Sequence, residues 1–182
     1  TFGERLVWGY GDAAGLKSYS FDGAKVGGLI CWEHWMPLAR HVLHASAEQV
    51  HVAAWPHLRE PYLIASRHYA FEGRAFVLAA ASVLHKSDFP GDFELASDFA
   101  DAPEQLLVGG SCIIAPDASY VVEPVYEKEV LLTAELDLDR VSEEKLSLDV
   151  AGHYARPDLF DLRVRREPLV PFRPASDDDR AK

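Results

Sequence analysis

Cys31 is the residue whose neighbours in the sequence most suggest chemistry. It ends the apolar run 26–30 and is followed at once by the bulky and charged stretch WEHWMP. A thiol between a strand and a helix lies near backbone N–H groups, which lower its pKa and stabilise an anion. The backbone N–H of Trp32 could also donate to a developing oxyanion. A buried core cysteine fits the same residues, so both a nucleophile and a core filler remain open at this point.

The surrounding residues predict the elements that must position this thiol. The stretch AKVGGLIC at 24–31 is typical of a buried strand, and Pro37 suits the first turn of a helix. A second strand at 49–55, a helix at 61–75 and a third strand at 76–82 follow. This alternation of strands and helices favours an α/β layered fold.

The second half of the chain is predicted to continue the same sheet. After an acidic loop at 86–108, the stretches SCIIAP, SYVVEP and EVLLTAELDL (129–138) each favour a strand, and a short helix is predicted at 137–145. Cys112 falls in the first of these strands and is expected to be inert core. We therefore expect one domain over 1–165 and a polar tail over 166–182.

Composition and charge narrow the class of protein. The 182 residues are 48% hydrophobic and 26% charged, as in an ordinary globular protein. The formal net charge of −11 argues against a nucleic-acid or anionic-membrane surface, and no apolar run reaches the roughly 18 residues of a membrane span. Two cysteines do not make a disulfide framework, so a cytoplasmic location is expected.

Several ordered stretches resemble one known family. GGLICWEHWMPLARHVL resembles the nucleophile motif of nitrilases, a branch of the carbon–nitrogen hydrolase superfamily. Further matches follow it in order: EQVHVAAWP, SRHYAFEGRAFVLAA, GGSCIIAPDAS and GHYARPDLFDLRV. The resemblance covers nearly all of the chain and implies a four-layer α-β-β-α sandwich of the nitrilase type whose N-terminal part is missing. It also implies that Cys31 is the nucleophile.

The resemblance further implies a reaction. The thiolate would attack a nitrile carbon to give a thioimidate, one water would release ammonia and leave an acyl-thioester, and a second water would free the carboxylic acid. A glutamate serves the family as general base and acid, and a lysine stabilises the developing charge. No cofactor and no metal are implied, and the eight histidines show no C-x-x-C or H-E-x-x-H spacing.

The base glutamate and the lysine have no counterpart in this sequence. In the family both precede the segment that Thr1 begins to match, so the isolated chain is expected to be inactive. Glu4 matches a second glutamate of the family, which helps to position substrate, although a surface carboxylate is the alternative. Five further residues near the thiol are assigned to substrate or oxyanion contacts: Trp32, Glu33, His34, Trp55 and Pro56.

Each of these assignments has a simpler alternative. Glu33 could be a carboxylate favoured by a helix N-terminus, His34 a plain polar contact, and Trp55 a core aromatic. An amidase, a carbamoylase or a cyanide-converting relative would use the same nucleophile, but the motif CWEH favours the nitrilase branch. A non-catalytic fragment or oligomerisation module is the rival from another class. A homo-oligomer is expected when the protein is complete.

Overall fold

The structure is a computed structural model that describes residues 7–9, 11–94 and 96–167. The chain divides into two compact units, one of residues 17–156 and one that combines 1–16 with 157–182. In the second unit a short 3₁₀ helix, Ala13–Gly15, is capped by the Asp12 carboxylate, which accepts the Ala14 N–H at 3.0 Å. The larger unit carries the sheet and the helices described below.

The larger unit is built on a seven-stranded mixed sheet. Its spatial order is β1-β2-β3-β4-β6-β5, with β7 paired to β6. Strands β2, β3 and β4 run parallel, and the other pairings are antiparallel. The strands are β1 Tyr19–Phe21, β2 Ala24–Ile30, β3 Val50–Trp55, β4 Phe76–Ala81, β5 Val83–His85, β6 Gln105–Ile114 and β7 Tyr120–Tyr126.

Two helices make the crossovers between the parallel strands. Helix α1, Pro37–His44, joins β2 to β3, and helix α2, Glu60–Gly73, joins β3 to β4. Each has a proline in its first turn, where the missing N–H costs nothing. A third helix, α3 (Asp139–Lys145), follows the sheet. No helix within the described ranges is both long and apolar enough to cross a bilayer.

The predicted order of strands and helices through residue 81 is confirmed, but the second half differs in two places. The loop predicted at 86–108 is shorter, because β6 begins at Gln105 and pairs with β5. The strand predicted at 129–138 is wrong, since the structure has no strand there. Leu136 and Leu138 of this segment pack against a core cluster, whereas Val130 and Leu131 are exposed.

One face of the sheet is covered unevenly. Near the start of β3 and β4, Val50 and Phe76 pack with Ala115 and Val141 in a buried cluster. Towards the carboxyl ends of the strands the same face opens, and Val52 is 39% exposed. Ile30, the last residue of β2, is 63% exposed. The open part of the sheet therefore lies at the end where Cys31 follows β2.

Candidate active site

Cys31 lies directly after a parallel strand and opens the 3₁₀ helix Cys31–Trp35, which we name the Cys31 turn. Its φ is 52°, in the left-handed region. That backbone costs an L-residue about 1–2 kcal/mol, and such strain is concentrated at functional sites. The thiol is half-buried, and neither Cys31 nor Cys112 forms a disulfide. The chain thus turns sharply at the sheet edge where it presents this thiol.

Polar contacts on both sides close the Cys31 turn. The Ile30 N–H donates to Glu33 Oε2 at 2.8 Å, and the Met36 N–H donates to the Glu33 carbonyl at 2.9 Å. From α1, Arg40 Nη1 donates to the His34 carbonyl at 3.0 Å. Glu33 therefore ties the turn back onto the strand end. Its contact with a substrate stays a prediction.

A chain of buried polar groups runs beneath the turn. His34 Nδ1–H donates to the Cys31 carbonyl at 2.7 Å, and His34 Nε2 lies 3.0 Å from His51 Nε2. His51 Nδ1 lies 2.8 Å from Glu48 Oε1, and the Tyr69 hydroxyl donates to Glu48 Oε2 at 2.6 Å. Apart from Cys31, each of these residues is at most 1% exposed. We refer to His34, His51, Glu48 and Tyr69 as the buried relay.

Burial sets the protonation of both ends of the buried relay. Desolvation lowers the pKa of His34 to about 4. The hydrogen bond to Cys31 opposes this shift by raising the pKa, whereas nearby His51 and Arg40 lower it further. His34 is therefore neutral near pH 7. Desolvation also raises the pKa of Tyr69, and the Glu48 carboxylate raises it again. Tyr69 accordingly remains a hydroxyl that can donate.

The two predicted site residues at the end of β3 have different surroundings. Trp55 is 4% exposed, its ring stacks on His34 with centroids 4.6 Å apart, and its Nε1–H donates to Ser66 Oγ at 3.1 Å. The Pro56 carbonyl accepts the Ser82 N–H at 3.1 Å. Trp55 thus supports the turn from inside, whereas Pro56 is exposed. Contact of Trp55 or Pro56 with a substrate stays a prediction.

The structure brings some predicted residues together and leaves others apart. Cys31, Glu33 and His34 share one turn, and the side chain of Trp32 is exposed beside them. Glu4 lies outside the described residues. The prediction that Cys112 belongs to the core is confirmed, and burial raises its pKa to about 12, with Glu123 adding to the effect.

The sequence reasoning missed part of the site. The sequence pattern does not single out Glu48 and Tyr69, although His51 within the apolar strand VHVAAW and a glutamate two residues before that strand are unusual in buried positions. Tyr69 is 21 residues from Glu48, so only the fold brings the two together. Within the described ranges, no three His, Cys, Asp or Glu side chains are grouped to hold a metal ion.

The fold and the turn define a class: an α/β protein that presents a thiol at the carboxyl end of a parallel strand. Within that class the chain belongs to the carbon–nitrogen hydrolase family, whose sequence model, "Carbon-nitrogen hydrolase", matches residues 1–145. The resemblance described above is thereby confirmed, and the sheet with its crossover helices is part of a nitrilase-type fold.

Curated relatives and a solved structure agree with this membership. The chain is 38% identical over 168 residues to the nitrilase blr3397 of Bradyrhizobium diazoefficiens, covering 92% of this chain and 52% of that protein. It is also 38% identical to an aliphatic nitrilase of Sinorhizobium fredii, covering 92% of this chain and 54% of that protein. A carbon–nitrogen hydrolase from Helicobacter pylori G27 superposes with a TM-score of 0.71 over 87% of this chain and 55% of that one, and at 19% identity it shows the fold alone. The chain spans about half the length of the curated relatives it matches.

Proposed function

We propose that this chain is the nucleophile-bearing part of a nitrilase, with Cys31 as the attacking group. The observation that carries the proposal is the half-buried Cys31 at the end of a parallel strand, with its backbone in the left-handed region. Its sulfur would form a bond to the nitrile carbon while the nitrogen takes a proton. One water then displaces ammonia and leaves a thioester, and a second water breaks the carbon–sulfur bond to give the acid and the thiol.

The protons for these steps must come from groups other than His34. Its Nδ1–H is bonded to the Cys31 carbonyl and its Nε2 faces His51, so neither ring nitrogen is directed to a substrate. By the family resemblance the base is a glutamate and the charge-stabilising group a lysine, and no residue of this chain matches either of them. Glu4 would help to position the substrate. We therefore propose that the isolated chain does not turn over nitriles.

A chimera tests this proposal. The matching half of the Bradyrhizobium relative is replaced by this chain, and ammonia release is measured with one aliphatic and one aromatic nitrile. We expect turnover by the chimera, loss of turnover in Cys31→Ala, and retention in Cys112→Ala. The isolated chain should release no ammonia. Turnover that survives Cys31→Ala would contradict the assignment of the nucleophile.

Product analysis distinguishes a nitrilase from the other hydrolases that would use the same nucleophile. Release of acid and ammonia from a nitrile supports the proposal. Hydrolysis of an amide or a carbamoyl substrate with no action on nitriles would favour an amidase or carbamoylase. Conversion of cyanide would favour a cyanide-converting relative. The names of the two curated relatives favour nitriles. A cytoplasmic location and a homo-oligomeric assembly stay predictions.

A further inference from the structure

The buried relay has no role in the proposed bond-making steps, yet it lies directly under the nucleophile. His34, His51, Glu48 and Tyr69 are all at most 1% exposed. Polar groups buried so deeply destabilise a fold unless they are hydrogen-bonded. Three consecutive links, each of 3.0 Å or less, satisfy them here. The question is whether these links only fill a core or also act on Cys31.

The hydrogen-bond directions are fixed from the Cys31 end. A carbonyl can only accept, so His34 Nδ1 carries a proton. Because His34 is neutral, its Nε2 accepts and His51 Nε2–H must donate. One proton then lies between His51 Nδ1 and Glu48 Oε1, and Tyr69 donates to the other carboxylate oxygen. The direction is thus fixed from the Cys31 carbonyl to His51 and from Tyr69 to Glu48, and either placement of the shared proton satisfies His51 and Glu48.

The buried relay also ties the Cys31 turn to other elements. His51 belongs to β3, Glu48 precedes that strand, and Tyr69 lies on α2. Within the buried relay, His34 is the member that bonds to Cys31, at the carbonyl of the residue with the left-handed φ. A second anchor from the side, Arg40 on the His34 carbonyl, restrains the same residue. The orientation of His34 is thus set by residues outside the turn.

We propose that His51 and Glu48 are positioning residues that hold Cys31 in its left-handed backbone through His34. The catalytic meaning of this inference rests on the proposed function, because an aligned thiol matters only if Cys31 is the nucleophile. The mechanical part does not, since the backbone of Cys31 can be observed without turnover. If these residues only filled the core, replacing them would lower the global stability. The amides of the Cys31 turn would then exchange no faster, relative to the parent, than those of the central strands.

The test cuts the link between His34 and His51 in the 182-residue chain. His51→Asn keeps an amide that can donate to Glu48 but cannot reach His34. We expect amide hydrogen exchange at Ile30 and Met36, which are bonded to Glu33, to accelerate about tenfold. The Cys31 Cα and Cβ chemical shifts should move towards extended values. In the active chimera the same variant should lower kcat about tenfold with KM unchanged.

Three further variants sharpen the result. His34→Asn keeps a donor facing the Cys31 carbonyl and cuts the same link from the other side, so it should behave like His51→Asn. Glu48→Gln can donate to His51 and accept from Tyr69, and should stay within about twofold of the parent. His68→Asn changes an exposed histidine of α2 and should leave the turn unaffected.

Two outcomes would overturn the inference. In the first, both cutting variants leave the Cys31 shifts and the exchange of Ile30 and Met36 unchanged. In the second, exchange at those amides rises only by the same factor as at Ala53 and Ala79 in the central strands, which is global loosening. Failure of the proposed function looks different: the turn amides respond as expected, but the chimera hydrolyses no nitrile.

Discussion

At the scale of single residues, Gly27 shows how the strand and the buried relay are fitted to each other. Gly27 lies four residues before Cys31 on β2, and a Cβ built there would collide with Glu48 Oε1. The Glu48 carboxylate cannot easily move aside, because His51 and Tyr69 hold both of its oxygens. The absence of a side chain at this position is therefore what lets a buried carboxylate lie against the strand that ends at the thiol.

Gly27→Ala is predicted to lower the free energy of unfolding by about 1–3 kcal/mol, the usual cost of overpacking a well-packed interior. Urea unfolding followed by circular dichroism measures it. Gly91→Ala is the matched control, because its Cβ would meet nothing within 4 Å, and it should be near neutral. Equal midpoints for the two variants would show that the carboxylate is not confined as described.

His34 makes stability depend on pH with a definite sign. Its pKa is about 4 in the folded chain and 6.5 when unfolded, so between these values only the unfolded chain binds the proton. The free energy of unfolding should therefore fall by about 3 kcal/mol as pH is lowered from 6.5 to about 4, the stability being fully present above 6.5. Urea titrations across this range measure the slope. His34→Asn has no imidazole, and an identical slope in that variant would contradict the assignment.

At the scale of elements, an ion pair joins the two crossover helices beside the site. Arg40 Nε of α1 lies 2.6 Å from Glu72 Oε2 of α2, and His44 Nε2 lies 3.2 Å from the same oxygen. Burial alone would raise the pKa of Glu72, but the bonds from His44 and Arg40 outweigh it and lower the pKa to about 2. Since Arg40 also donates to the His34 carbonyl, this pair connects helix packing to the Cys31 turn.

Glu72→Ala is predicted to lower the free energy of unfolding by about 2 kcal/mol, because it leaves the Arg40 side chain, 11% exposed, without its carboxylate. Denaturant unfolding provides the value. Arg140→Ala removes a pair with Asp117 in which both side chains are 37% exposed, and should cost less than about 1 kcal/mol. A smaller loss for Glu72→Ala than for Arg140→Ala would mean that the helices do not depend on the pair.

Local signals in the sequence predict most elements around the site, and the structure shows where they stop being enough. The strand before Cys31 and the helix after Pro37 follow from apolar runs and proline position, which act over a few residues. The strand predicted at 129–138 is wrong because the apolar run has no strand partner: Leu136 and Leu138 pack on a core cluster, while Val130 and Leu131 are exposed. The buried relay could not be predicted, since its members come from a turn, a loop, a strand and a helix that only tertiary packing brings together.

At the scale of the whole molecule, one face of the sheet is exposed to solvent close to the thiol. Ile30 and Val52 remain exposed on the sheet at the end where the thiol emerges. The chain also spans about half the length of the relatives it matches. The nitrilase activity proposed above therefore concerns a protein of the relatives' length, to which Cys31 would contribute the attacking thiol.

The most direct test of the central claim is to trap the covalent intermediate on Cys31. The chimera described above is mixed with a nitrile, quenched in acid during turnover, and digested for mass spectrometry. The account predicts a substrate-derived thioimidate or acyl mass on the peptide that contains Cys31 and none on the peptide that contains Cys112. Continued hydrolysis in Cys31→Ala, with no adduct on the Cys31 peptide of the parent, would contradict it.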